Sequence, residues 1–404
     1  MQTTGTTISP WRVFRADPAE WYSADEMSRS EAYVRPLRRV ARIRKASVLA
    51  ATIALIGSHA GPELLSRWGI DNWFLQLAVV TAVLHLIEVA IQLPFSAWRE
   101  LGYDRRHGFS TQTVKGFVVD AVKGIPIGFA MMLVLLTPLW AVVRATSLWW
   151  VWGWAVFALV LVGIGILFPI VIAPLFNKYT PLDDGELRTE ILAMAQRVGA
   201  DIHEVLVEDS SKRDTRPNAY VAGIGKVRRV VVFDNMLRYP KDAVLGVIAH
   251  EIGHWKLRHI WRLVPLALVV TFVSFVVLKL VLESSFALGF AGVDSLASPA
   301  ASLLFQLGFF ILLSPVVGLP MAWLGRAYER QADLFGLETI GRAAGLVSFF
   351  RDVSVEVRAD LRPSWWQRVQ RSHPPFAERM AMATAWESAR TMPPQAAAST
   401  AKAS

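Results

Sequence analysis

Six apolar stretches in this chain approach the roughly 20 residues that a membrane-spanning helix needs. The fourth stretch begins with a cluster of Trp, which is typical of the boundary between membrane and water. The stretches run approximately over residues 46–66, 73–96, 118–143, 148–175, 260–282 and 300–324. The pattern predicts a polytopic membrane protein that has the lipid bilayer as a partner.

Composition supports the membrane class and limits the chemistry. Apolar residues make up 53% of the 404 residues and charged residues 19%, against about 25% charged in soluble proteins. The absence of Cys excludes disulfides and thiolate ligands, so a transition-metal site must use His and carboxylates. The net charge of +9 comes largely from basic residues beside apolar stretches. An anionic leaflet therefore explains it better than nucleic acid does.

The distribution of Lys and Arg predicts the orientation of the spans. The segment before the first stretch reads RPLRRVARIRK, and the loop after the second reads WRELGYDRRHGFSTQTVKG. Loop 283–299 has neither Lys nor Arg. This alternation predicts six spans with both termini in the cytoplasm. The Cys-free composition, rich in Ala, Arg, Val and Trp, is typical of bacteria, so the predicted location is a bacterial plasma membrane. The first stretch is interrupted by Gly57, His59 and Pro62, so a re-entrant or buried helix stays open as the alternative there.

Segments outside the spans have the periodicity of a mixed domain. The run DDGELRTEILAMAQRVGA is helix-like, whereas EVLVED, NAYVAGIG and RRVVVFD are strand-like. The predicted fold class is therefore mainly α, with a membrane helix bundle of six or seven spans and a cytoplasmic domain that carries a small β-sheet. The predicted divisions are 1–45 (cytoplasmic segment), 46–175 (four spans), 176–259 (catalytic domain), 260–324 (two spans), 325–390 (catalytic helices) and 391–404 (disordered tail).

The most informative motif is HEIGH, within a segment at 241–259 whose apolar pattern is helical. Because residues four apart share one helix face, His250 and His254 can direct their imidazoles at one metal ion. Glu251 lies about 100° round the helix, where it can reach a water molecule without being a ligand. The motif predicts a zinc hydrolase with Glu251 as general base. The alternative is two surface histidines on an amphipathic helix.

A catalytic zinc needs a third protein ligand and an open fourth position. The candidate ligand is Glu329, since spans five and six would return the chain to the membrane face that carries HEIGH. Asp333 lies four residues later and could orient a ligand imidazole from behind. Taken alone, this acidic pair is equally explained as ordinary decoration of a helix surface.

At this point the motifs resemble those of the integral-membrane zinc metalloproteases of the CAAX prenyl endopeptidase type. The likeness covers residues from about 30 to 390. Besides HEIGH and a following R-x-x-E-x-x-A-D, the segments that carry it are LPFSAWRELGYDRRHGFSTQT, PLFNKYTPL, NAYVAGIGKVRRVVVFDNML and SHPPFAERM. This family commonly has seven spans, whereas six are counted here.

The resemblance implies a ring of membrane helices around a water-filled chamber, with one zinc ion per chain held inside it by the HEIGH histidines and Glu329. It further implies that Asn218 and Ala219 bind substrate backbone, that His373 stabilises the tetrahedral intermediate, and that Arg379 lines the same wall. From the residues alone, Asn218 is equally a turn residue after Pro217, and His373 is an ordinary surface histidine.

The remaining histidines, at 59, 107, 203 and 259, are interpreted as structural or solvated. His259 lies five residues after His254, so on a continuous helix it would leave that face. His85 and Glu88 lie in the second stretch, where ionisable groups usually face a cavity or form a helix–helix hydrogen bond. Both alternatives stay open for this pair.

The leading hypothesis is a membrane endopeptidase that acts on a peptide or protein, possibly lipidated or membrane-associated. A quality-control metalloprotease shares the same chemistry, and a transporter or non-catalytic scaffold is the alternative from another class. No internal repeat of the transporter kind is present. The composition is typical of bacteria, which generally lack CaaX prenylation, so the resemblance leaves the natural substrate open. The sequence does not indicate an oligomeric state.

Overall fold

Helices form most of the chain, and the predicted mainly α fold class with a small sheet is confirmed. A computed structural model describes residues 8–391 except 225–226, 310 and 312–313. The tail predicted to be disordered lies outside the described residues from position 392 onward.

The α-helices are numbered in chain order. Their bounds are α1 Ala24–Gly57, α2 Ala60–Trp68, α3 Trp73–Ala97, α4 Asp104–Arg106, α5 Val114–Ala145, α6 Trp149–Leu167, α7 Glu186–Arg197, α8 Lys241–Lys256, α9 His259–Leu282, α10 Ser285–Ala291, α11 Ser302–Gly308, α12 Ser314–Ile340, α13 Ala344–Glu356, α14 Trp365–Gln370 and α15 Phe376–Thr391. The strands are β1 Tyr179–Pro181, β2 Glu204–Glu208, β3 Ala219–Ile224 and β4 Val227–Phe233.

Contacts divide the described residues into two units. A sheet unit takes those within Met1–Pro36, Ala173–Leu263 and Pro320–Ser404, and a helical unit takes those within Leu37–Ile172 and Val264–Leu319. In the helical unit α3 and α6 both pack against α5, around a core of aromatic and aliphatic side chains.

Large apolar side chains also cover the outside of the helical unit, such as Leu159 at 73% exposure. An apolar exterior of this kind is suited to lipid rather than to water.

Three helical segments of the described chain are long and apolar enough to cross a membrane. They are Trp73–Arg106, which runs from the start of α3 to the end of α4, Val114–Ala145 (α5) and His259–Leu282 (α9). The pair α1 and α2 passes the same test together but is bent by 53°. The bend lies where His59 adopts a left-handed conformation, at one of the interruptions noted in the first apolar stretch. A further apolar helix at Trp149–Gly165 is shorter. The count of six spans stays a prediction.

His85 lies on α3 and forms a contact between two helices. Its Nε2 is 2.9 Å from the backbone carbonyl of Ile125 on α5. The contact matches the helix–helix hydrogen bond that was one of the two alternatives for this residue.

The sheet unit has one four-stranded sheet in the order β1-β2-β4-β3. The strands β2 and β4 pair in parallel, while β1 with β2 and β3 with β4 are antiparallel. Central β4 carries consecutive buried valines, as a strand covered on both faces does. The order leaves β3 at an edge, and this strand packs next to α8.

Helix α8 is buried on nearly all sides, because its residues 243–249 carry no polar side chain. It ends at Lys256, three residues short of the predicted boundary. Arg258 then adopts a positive φ of 55°, and the chain turns before α9 begins at His259. The break places His259 on a different helix from the HEIGH histidines.

Candidate metal centre

Two glycines allow α8 and α12 to cross at close range. A Cβ added at Gly253 would lie 3.0 Å from a ring carbon of Phe335, and one added at Gly336 would lie 3.3 Å from the backbone nitrogen of His250. Larger side chains at these positions would force the helices apart. The close crossing brings Glu329 on α12 within reach of the histidines on α8.

Three side chains meet at this crossing with the geometry of a metal site. The Nε2 atoms of His250 and His254 are 3.1 Å apart. Glu329 Oε2 lies 3.5 Å from His250 Nε2, and Glu329 Oε1 lies 3.3 Å from His254 Nε2. Among the described residues, these three form the group of His and acidic side chains that could hold a metal ion. The structure thus brings together the three ligands predicted from the sequence.

The three side chains are close enough together to bind one ion, since one ligand atom from each lies within 4.8 Å of the others. Ligand bonds of about 2.0–2.1 Å from zinc to nitrogen or oxygen imply ligand-to-ligand edges of ~3.3–3.4 Å. The two histidine nitrogens, at 3.1 Å, are close to that edge length. Each histidine also has one oxygen of Glu329 near this distance, Oε1 at 3.3 Å from His254 and Oε2 at 3.5 Å from His250. Glu329 Oε2 is also buried without a hydrogen-bond partner. A buried carboxylate oxygen in this state is costly unless a cation satisfies it, so the donor set fits a metal.

Asp333 lies directly behind His250. Its Oδ1 is 2.8 Å from His250 Nδ1, which fixes the proton on that nitrogen and turns Nε2 toward the metal position. Arg379 on α15 in turn donates to both oxygens of Asp333, at 2.6 and 2.8 Å. The guanidinium is buried and lies over the Phe350 ring. In this position Arg379 orients the carboxylate, and the substrate-binding role predicted for it stays a prediction.

The pKa values show a site arranged for a cation. Burial opposes charge on His250, but Asp333 and Glu329 outweigh it and raise the pKa of His250 to about 10. Burial also opposes charge on Glu329, yet its contacts with His250 and His254 hold its pKa well below the usual range. Arg379 and His250 likewise lower the pKa of buried Asp333. Two carboxylates stay ionised around one position, and they attract positive charge to it.

Glu251 occupies a different side of the same position. Its Oε1 is 3.9 Å from His250 Nε2, and burial raises the pKa of its carboxyl group. A carboxylate whose pKa is raised is a better proton acceptor near neutral pH. Glu251 is outside the group of three that could hold a metal ion, and its role as general base stays a prediction.

His373 lies at the open side of the centre. Its Nε2 is 3.3 Å from Glu329 Oε1, its Nδ1 is 2.9 Å from Ser372 Oγ, and the side chain is 64% exposed. The structure therefore brings this C-terminal loop histidine to the metal position. An exposed imidazole there can donate to a bound substrate.

Asn218 and Ala219 lie at the start of edge strand β3. Asn218 Oδ1 accepts the backbone N–H of Ala219 at 3.0 Å, and its carbonyl accepts the N–H of Phe233 on β4. Antiparallel alternation then directs the carbonyl of Ala219 and the backbone of Val221 away from β4. Within the described part of the chain, no further strand of the sheet covers this edge.

One residue of the centre was missed by the sequence interpretation. His259 Nδ1 is 3.0 Å from His254 Nδ1, and His259 Nε2 is 3.0 Å from Gln331 Oε1. The spacing argument kept His259 out of the ligand set, and the residue is outside the group that could hold a metal. That argument assumed one helix through position 259, so it did not predict the contact with His254 that the turn at Arg258 creates. One signal in the sequence could have indicated this contact. A third His lies just before the apolar stretch at 260–282, where a change of helix direction was to be expected.

Two family models match the chain. A model described as CAAX prenyl protease N-terminal, five membrane helices, matches residues 15–178. A model of peptidase family M48 matches residues 181–387. The second match contains every residue of the centre described above.

Curated proteins and solved structures agree with these models. A CAAX prenyl protease 1 homolog from Oryza sativa subsp. japonica is 31% identical over 327 residues, which is 79% of this chain and 76% of the relative. The uncharacterized metalloprotease YhfN of Bacillus subtilis is 28% identical, over 78% of this chain and 75% of its own. The crystal structure of S. mikatae Ste24p has the same fold, with a TM-score of 0.79 at 24% identity over 90% of this chain and 89% of that one.

Proposed function

Because this chain belongs to peptidase family M48 and is a membrane metalloprotease of the CAAX prenyl endopeptidase type, we propose that it holds one zinc ion on His250, His254 and Glu329. The observation that carries the proposal is that ligand atoms of these three side chains lie within 4.8 Å of one another, together with the unpartnered oxygen of Glu329. Zinc suits this set because imidazole and carboxylate are its usual ligands in catalytic sites that keep one position open.

When bound, zinc lowers the pKa of a water molecule to about 7 and polarises a peptide carbonyl. Glu251 takes the proton from the attacking water and delivers it to the leaving nitrogen. His373 donates from Nε2 to the oxygen on which negative charge develops. Asp333 keeps the His250 ring in place throughout, and Arg379 keeps the carboxylate of Asp333 ionised and aligned.

We propose that the substrate is a peptide segment bound in an extended conformation along the edge of β3. The open backbone groups of Ala219 and Val221 support this, since an added strand pairs with such groups. Asn218 contributes by fixing the start of the strand through its bond to Ala219. The names of the relatives point to prenylated substrates in those proteins. For this chain we propose a membrane-associated protein, cut at the cytoplasmic face of a bacterial plasma membrane.

The direct test is zinc content and peptide hydrolysis of the full chain purified in detergent without chelators. We expect about one zinc per chain, and hydrolysis of an internally quenched peptide that a chelator abolishes and added zinc restores. A preparation that is folded but contains no zinc, or whose hydrolysis survives complete removal of metal, would contradict the proposal.

His373→Ala tests the role proposed for the loop histidine. We expect kcat to fall by about 10²–10³, the usual cost of losing one donor to a developing oxyanion, with zinc content unchanged. The matched control is His203→Ala, which removes an exposed histidine of the same unit next to Asp201 and should leave kcat unchanged. If His373→Ala lost zinc instead of turnover, the residue would be part of the metal set.

A further inference from the structure

The two ligand histidines differ in what lies behind them. A neutral imidazole carries one proton, so a ring that binds metal through Nε2 must carry its proton on Nδ1. For His250 the acceptor of that proton is the carboxylate of Asp333, at 2.8 Å. For His254 the group at the same position is another imidazole, that of His259, with its Nδ1 3.0 Å from His254 Nδ1.

Two nitrogens at 3.0 Å form a hydrogen bond only if one donates and the other accepts. Since His254 Nδ1 must carry the proton when Nε2 faces the metal, His259 Nδ1 has to accept. The proton of the neutral His259 ring is then on Nε2, where it needs an acceptor. Gln331 Oε1 lies 3.0 Å from that nitrogen. Because His254 must leave Nε2 free for the metal, His254 donates to His259, and His259 donates to Gln331.

The surroundings hold the His259 ring in this orientation. The ring stacks on Tyr328, with centroids 4.5 Å apart and planes within 1°. It is 2% exposed, so bulk water is poorly placed to replace either partner. Tyr328 and Gln331 flank the ligand Glu329 on α12. One helix thus supplies a metal ligand, the stacking surface and the final acceptor.

We propose that Gln331 and His259 form a tautomer relay that fixes the proton of His254 on Nδ1 and leaves Nε2 available for the metal. His259 and Gln331 are positioning residues in this relay, because they act through His254. The inference deepens the proposed function and rests on it.

A neutral relay also fits the charge of the centre. Asp333, Glu251 and Glu329 already supply three carboxyl groups around the position of a divalent ion, and Arg379 neutralises part of this charge. A further carboxylate behind His254 would be another buried charge, which is expensive without its own partner. A histidine and an amide orient the ligand without that cost.

The relay predicts that position 331 requires an acceptor. Gln331→Met keeps a side chain of similar length but cannot accept from His259, and we expect zinc affinity to fall by about 10–100-fold, as for other lost outer partners of ligand histidines. Gln331→Glu still accepts from His259, so it should bind zinc more tightly than Gln331→Met does. Zinc affinity of the full chain in detergent, measured by competition with a chromophoric chelator, is the readout.

His259→Phe provides the second variant. It keeps an aromatic ring on Tyr328 but removes the acceptor, and the same 10–100-fold loss is expected. The visible absorption of the cobalt-substituted variant should match that of the cobalt-substituted wild type, because His259 is not itself a ligand. Gln196→Met, at an exposed position on α7, is the control for the substitution itself, and thermal melting checks the fold of each variant.

The outcomes separate this proposal from the one on which it rests. If the unmodified chain binds zinc while Gln331→Met and His259→Phe bind it equally well, the relay is overturned and the zinc site stands. The relay is also overturned if Gln331→Glu is as weak as Gln331→Met, or if His259→Phe changes the cobalt spectrum. An unmodified chain that binds no zinc overturns the zinc site itself. If His259→Phe fails to fold, the two Gln331 variants decide the question.

Discussion

Glu251→Gln is expected to abolish peptide hydrolysis while the chain keeps its zinc. The glutamine amide has the shape of the carboxyl group but cannot take a proton from water. General-base catalysis contributes typically about 10²–10⁴ in rate, so kcat should fall by that factor. Zinc should remain because Glu251 is outside the three-ligand group, with its nearer oxygen 3.9 Å from His250 Nε2.

Elemental analysis and single-turnover hydrolysis of the same preparation measure both parts of this prediction. The matched control is Asp242→Asn, in the first turn of the same helix, where the carboxylate pairs with Arg342 at 2.6 Å. This change makes the same replacement of acid by amide far along α8 from the histidines, and it should leave hydrolysis intact. Normal turnover in Glu251→Gln would remove the general-base assignment, and loss of zinc would make Glu251 a ligand.

Glu329→Ala should lose zinc, and activity with it. Without Glu329, only the two histidines of the proposed ligand set remain, and neither is anionic. Glu329 is the one carboxylate in the group of described residues that could hold a metal ion. Removal of an outer partner costs about 10–100-fold in metal affinity, so removal of a direct ligand should cost more than that. Competition with a chelator, read as a zinc dissociation constant, gives the number.

Glu338→Ala is the control for this variant, since Glu338 is an exposed residue on the same helix α12. It should bind zinc as the unmodified chain does. Equal zinc affinity in Glu329→Ala and Glu338→Ala would exclude Glu329 from the ligand set. Loss of zinc in both would indicate that α12 had been disturbed as a whole, which thermal melting would reveal.

An endopeptidase requires different groups at the site from those that a transporter or a non-catalytic scaffold requires. A transporter or a scaffold has no need of a proton acceptor beside a metal position, whereas hydrolysis requires one. Here Glu251, the ligand group and an exposed donor at His373 surround one position. Together with the match to peptidase family M48, this arrangement supports hydrolysis.

Local periodicity explains what could be predicted. The pair His250 and His254 follows from the four-residue repeat of a helix, and the buried side of α8 follows from its apolar residues. Strands β2, β3 and β4 lie in runs that the sequence predicts as strands, while β1 is three residues long and was not predicted. The approach of Glu329 was expected from the order of the spans, but its distances depend on the crossing that Gly253 and Gly336 permit.

The membrane class, the candidate metal pair with its candidate general base, and the mainly helical fold could be predicted because each depends on residues close together in the chain. The tertiary structure was needed to find that Arg379 faces Asp333, that β3 is an edge strand, and that His259 stands behind His254. These depend on packing between distant segments and on one turn at Arg258, whose positive φ no spacing rule anticipates. Helical periodicity holds only while the helix continues, and this helix ends two residues after its second ligand.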